Sequence, residues 1–182
     1  GRRGDPRWKL WNPRMAADAG IFSPPTGDDV RAVAVQLAAL LKSSDDRDTS
    51  SACLLALAKI GSARAGIHLA EQFKPFLARG DQELRESAAL ALGVSGSLDL
   101  ETQQILVDLI GDSKDGRLLS GDSAVNERTR SFATYGAGLL LKLSRKAGAS
   151  MRLTAAIRRV LNEPSKHGRN LMVASIEALA LF

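Results

Sequence analysis

The feature that most constrains this chain is a helical segment that comes back. DQELRESAALALGVSG begins at Asp81 and NERTRSFATYGAGLL begins at Asn126. Placing Arg85 on Arg130 aligns Ala88 with Ala133, Leu90 with Tyr135 and Gly93 with Gly138. Placing Gly61 on Gly96 aligns Leu55-Ala56-Leu57 with Leu90-Ala91-Leu92. The shifts are 45 and 35 residues, the first being longer because its unit contains an extra polar loop from Gly111 to Ala124. A unit that returns every 20 to 50 residues or so buries its apolar face only by stacking on the next copy.

The residues between these segments follow the same rhythm. Val30, Val33, Ala34, Leu37 and Leu41 lie on one face of a 3.6-residue helix, for which Asp28 or Asp29 serves as the cap. SSDDRD is a turn, and Thr49 to Ile60 is apolar nearly all round, as expected of a helix packed between neighbours and stopped by Gly61. Gly66 to Arg79 and Gln82 to Val94 predict a second pair, with Pro75 kinking its first helix. Asp99 to Ile110 and Asn126 to Leu143 predict a third, whose stripe is Phe132, Tyr135, Gly136, Leu139 and Leu143. Ser150 to Leu161 and Gly168 to Phe182 predict a fourth. Strand-like alternation is lacking throughout, so the expected class is all-α. Residues 1–27 differ, holding four of the six prolines, both tryptophans and no helical period. They read as an irregular basic arm.

The two repeated strings resemble the second helices of HEAT repeats, in which an acidic turn precedes an apolar residue and Arg, then Ala, Leu and Gly at helical spacing. Asp81, Leu84, Arg85, Ala88, Leu90 and Gly93 match that pattern, and Pro75 falls where HEAT first helices are often kinked. DDRDTSSACLLALAKIG keeps the Ala/Leu/Gly part but has Ser50 at the Arg position. The tetratricopeptide Trp-Leu-Gly-Tyr signature is missing, as is the third short helix of armadillo repeats. The resemblance spans about residues 28–182, with approximate units 28–64, 65–97, 98–148 and 149–182. It implies an α-α superhelix, a HEAT-like solenoid of about four antiparallel helix pairs, whose second helices line a shallow concave face. The activity it implies is that of a non-catalytic protein–protein interaction scaffold with a protein partner, as a fragment or subunit of a larger assembly. The apolar terminal string ALALF points the same way, toward further repeats or a partner covering it. HEAT-like folds also occur in base-excision glycosylases, which hold duplex DNA against a basic face, and in bilin lyases; these are the alternatives.

The chemistry-bearing residues are few. One cysteine, Cys53, excludes an internal disulfide and a multi-cysteine zinc site. His68 and His167 stand far apart, each without a ligand set around it. GSARAG follows a helix and lacks the Lys-Ser/Thr of a phosphate loop, while Asp112, Asp115 and Asp122 do not have calcium-loop spacing. No catalytic, cofactor or metal-binding residue is therefore assigned. The longest apolar runs, such as CLLALA, fall far short of a membrane span, and a single thiol suits either the cytoplasm or export after removal of a signal peptide.

Charge supplies the partner sites. The net +5 is uneven: residues 1–15 carry five basic residues against Asp5, residues 16–141 carry 12 against 17 acidic, and residues 142–182 carry eight against Glu163 and Glu177. Arg152, Arg158 and Arg159 form the densest part of the basic quarter, and Arg152 and Arg159 share a helix face; they are the candidate contacts for an anionic partner, nucleic acid included. Trp8 and Trp11 in RWKLW either anchor a partner or cover the end of the first helix pair. Arg85 and Arg130 are read as structural, tying each unit to an acidic turn residue of its neighbour.

Overall fold

The computed structural model describes residues 25–144 and 151–181. Trp8 and Trp11, with most of the arm, lie outside the described residues, as do Arg145 and Lys146 of the basic stretch. Ten α-helices are present among the described residues, and no strand. They are α1 (Gly27–Ser43), α2 (Arg47–Ile60), α3 (Ser62–Ala65), α4 (Leu69–Leu77), α5 (Gln82–Val94), α6 (Leu100–Gly111), α7 (Lys114–Ser120), α8 (Glu127–Ser144), α9 (Met151–Asn162) and α10 (Arg169–Ala180). A single 3-10 turn, Pro164–Lys166, connects the last two. No helix among the described residues is long and apolar enough to cross a membrane.

Short polar side chains start these helices by accepting from backbone N–H groups that the helix itself leaves unpaired. Asp46 accepts from Thr49 N at 2.7 Å, Asp81 from Glu83 N and Leu84 N at 2.9 and 3.1 Å, and Asp99 from Thr102 N at 2.7 Å. For α1 the cap is Thr26, two and three residues before the aspartates that the sequence suggests. Asp29 instead reciprocates, accepting from Thr26 N at 2.8 Å while Asp29 N donates to Thr26 Oγ1 at 3.2 Å. This is a capping box, which satisfies donors in both directions. At α10 the N-cap is Gly168, which offers no side chain, and Glu127 reaches over from α8 so that Leu171 N donates to its Oε1 at 3.5 Å.

Helices α2, α5, α8 and α10 pack each on the next in chain order. Of the others, α1 packs on α2, α4 on α5, α6 mainly on α8, and α9 on both α10 and α6. Between the helices lies one continuous core that includes Leu54, Leu57, Phe73, Leu92, Leu109, Leu140, Ile157 and Leu171. Two of the seams along this stack are tight enough to require glycine. A methyl group at Gly93 would overlap the Gly136 backbone, and one at Gly138 would meet Ala178 Cα at 2.7 Å. Gly93 thus serves α5 against α8 as Gly138 serves α8 against α10, the same pair of residues that the internal alignment superposes.

The structure departs from the sequence expectations in two segments. The polar stretch 111–124 is not wholly irregular: it contains α7, capped by Ser113 with Gly116 N donating to its hydroxyl at 3.0 Å, and closed by left-handed Gly121. The first helix of the second unit is shorter than its apolar pattern suggests. Gly61 and Gly66, both at positive φ, set off the single-turn α3, and α4 begins only at Leu69. It ends two residues past Pro75, whose ring removes a backbone donor.

Candidate functional site

Arg85 and Arg130 make the same two reaches in successive units. Arg85 donates from Nε to the Arg79 carbonyl, just after α4, and from Nη1 to Asp122 in the turn before α8. Arg130 donates from Nε to the Ile110 carbonyl at the end of α6 (3.0 Å), and its Nη2 approaches His167 Nδ1 in the turn before α10 at 3.5 Å. The acceptor at the second rung is therefore an imidazole where the first has a carboxylate. Because Arg130 can only donate, Nδ1 presents its lone pair and the ring proton sits on Nε2. Burial, with the Arg130 charge second, holds the His167 imidazole below its ordinary range. Burial likewise pulls the Arg130 guanidinium down, opposed by the charges of Asp112 and Glu127.

Beside this rung a cleft of about 340 Å³ opens between α6 and α9. Its walls are Gln104 and Val107 of α6, Arg152, Ala155, Ala156, Arg159 and Val160 of α9, then Glu163 and His167, with Arg130 at its side. Spacings of three and four residues bring the α9 members to one face, while Leu153 and Ile157 turn into the core. Ion pairs among the described residues include none of Arg130, Arg152 and Arg159. The one acidic group in the wall, Glu163, is met by Lys166 at 3.1 Å. The cleft is thus electropositive at three guanidiniums. It brings Arg152 and Arg159 together with Arg130; Arg158 is on the same helix but outside the lining, and Arg85 belongs to the other rung.

A second recess of about 410 Å³ lies between α8 and α10, lined by Arg128, Ser131, Phe132, Tyr135, Arg169, Asn170 and Val173. Phe132 and Tyr135 meet edge to face, with centroids 6.2 Å apart and planes at 83°. Burial, with the Glu177 carboxylate second, pushes the Tyr135 hydroxyl above its ordinary range. Arg128 is fixed from behind by Glu86 of α5, its Nε and Nη2 each 2.9 Å from a carboxylate oxygen. Arg169 makes no ion pair among the described residues, and beyond it Val173 and Ile176 are 40% and 58% exposed. The sequence places Phe132 and Tyr135 in the apolar stripe of this helix and Arg169 in the basic quarter, but singles out neither Arg128 nor Val173. In the structure that stripe is not the buried face of α8: Phe132, Tyr135 and Leu139 are half-buried and Leu143 is 62% exposed, while Ala133, Ala137, Leu140 and Leu141 turn into the core.

His68, Glu71 and Glu101 also converge, with ligand atoms within 4.8 Å of one another. Lys74 already places its ammonium there, donating to Glu71 at 2.7 Å and to Glu101, so the carboxylates are neutralised from within the chain. The fold is all-α, and the described surface includes a basic and an aromatic recess. No family model, curated protein or solved structure matches the chain.

Proposed function

We propose that residues 28–182 form a HEAT-like solenoid that serves as a non-catalytic protein-binding scaffold, a part or subunit of a larger assembly. Support for the architecture comes from the chain-order packing of α2, α5, α8 and α10 and from the two equivalent glycine seams. The observation that carries the function is the recess between α8 and α10. Aromatic residues and arginine dominate binding hot spots, because they offer large contact area and charge-assisted hydrogen bonds with few rotatable bonds. Phe132, Tyr135 and Val173 supply the apolar floor, and Arg128 and Arg169 the charged rim. The partner this suits is an acidic peptide segment carrying an apolar side chain. Arg128 is held in place by Glu86, so little ordering is needed there on binding.

Selection of displayed random peptides against the whole chain, followed by anisotropy on the enriched sequences, tests the reading. Acidic, partly apolar peptides should enrich, and Tyr135→Ala or Arg169→Glu should each weaken them about tenfold or more. Failure of any peptide to enrich, or binding indifferent to both substitutions, would remove this recess as the docking site.

A further inference from the structure

We propose that the basic cleft between α6 and α9 binds a phosphate group, of the kind carried by a small phosphorylated molecule. Arg85 meets a carboxylate, Asp122, in the turn before the next second helix. Arg130 makes the equivalent reach and finds a carbonyl and an imidazole, both uncharged, so no carboxylate bonds to it directly and Asp112 and Glu127 act on it only at greater range. A partly buried guanidinium with neutral partners favours an anion strongly, since the surrounding protein screens the attraction less than water does.

Arg152 and Arg159, seven residues and so two turns apart on one face of α9, stand in the wall of the same cleft, and neither is engaged in an ion pair among the described residues. Glu163, which would otherwise compete for them, is answered by Lys166. His167 has its Nδ1 committed to Arg130, which leaves Nε2–H as a further donor. Three planar guanidiniums and an imidazole provide more donors than the two oxygens of a carboxylate can accept, and they match the three terminal oxygens of a phosphate monoester. The volume of about 340 Å³ exceeds that of a bare phosphate, and Val107, Ala155, Ala156 and Val160 offer an apolar wall for the rest of a small ligand. A cleft of this size, with Arg158 outside it, suits one phosphate group better than the evenly spaced backbone of a duplex.

This inference does not rest on the peptide-docking reading, and its test separates the two. Calorimetric titration of the whole chain with inorganic phosphate and with pyrophosphate, at fixed ionic strength, should show one saturable site. Arg152→Ala and Arg159→Ala, both at exposed side chains, should each weaken it roughly tenfold without loss of helical circular dichroism. Arg158→Ala and Tyr135→Ala should leave it unchanged. Phosphate should also raise the thermal midpoint of the unaltered chain more than that of Arg159→Ala. Absence of saturable binding up to about 10 mM of either anion would overturn the proposal. Binding that ignores Arg152 and Arg159 would overturn it too. So would a 20-mer duplex that binds at about 150 mM salt through Arg152, Arg158 and Arg159 alike while free phosphate does not, which would assign the surface to nucleic acid.

Discussion

Arg85 and Arg130 hold the same place in successive units, and what each meets sets how its surroundings respond to pH. Arg85 meets a carboxylate, Asp122, whereas the group that Arg130 meets is an imidazole, His167. It faces Arg130 of α8 and, at greater range, Glu127 of α8, and Glu163 and Lys166 on its own connecting turn; burial and Arg130 together keep its folded-state pKa below the ordinary value. A histidine with a lowered folded pKa binds fewer protons when folded than when unfolded. Stability is therefore fully present above the unfolded value near 6.5, and is lost as pH falls from there through the folded value. Urea midpoints measured from pH 7.5 down to 5 should decline below about 6.5, and His167→Gln, which keeps an acceptor for Arg130, should flatten that decline. A profile unchanged by the substitution would mean that His167 is not held below its ordinary value in the folded protein, by burial or by Arg130. The carboxylates held low by their hydrogen bonds, Asp46 and Asp112 among them, act on the same side but in a more acidic window.

At the scale of the helix, closeness of approach decides more than hydrophobicity. Gly93→Ala gains about 0.5–1 kcal/mol of helix propensity, yet its methyl group overlaps the Gly136 backbone, and forcing α5 and α8 apart costs about 3 kcal/mol. The net effect in a chemical melt should be a loss of about 2 kcal/mol. Gly27→Ala, at the exposed start of α1 with nothing within 4 Å, should be neutral or slightly stabilising by comparison. Equal effects at the two sites would show that the seam relaxes freely. The internal alignment made Gly93 and Gly138 equivalent without revealing why, because a glycine in a sequence does not say which backbone lies across from it. The long helices were legible from their 3.6-residue period; the one cap read from the sequence, Asp28 or Asp29, gives way to Thr26. Helix α7 was not, since seven residues are too few to show a period; only Ser113 and Gly121 mark its ends. Periodicity also placed Arg152 and Arg159 on one face. That Arg130 and His167 join them depends on how α6, α8 and α9 pack, which no local pattern contains.

Across the whole molecule, α2, α5, α8 and α10 stack into a spine against which most of the other helices pack, so stability should be graded rather than uniform. Helix α5 is held by α2, α4, α6 and α8, and α8 by α5, α6, α9 and α10. Helix α1 packs mainly on α2 and α3; of its 17 residues only Ala34 and Leu41 are buried, while Val33, Val35 and Leu40 are 45–58% exposed. Opening α1 therefore exposes little additional apolar surface, at about 25 cal/mol per Å², whereas opening α5 exposes the centre of the core on several sides. Amide hydrogen exchange of the whole chain should show the slowest exchange in α5 and α8, near the global unfolding limit, with α1 and α7 faster by one or more orders of magnitude. Equal protection of α1 and α5 would carry a specific meaning. It would place Val33, Val35 and Leu40 under cover in solution, and dilution would then tell a self-associated chain, whose α1 loses protection as it separates, from one that covers this face by itself.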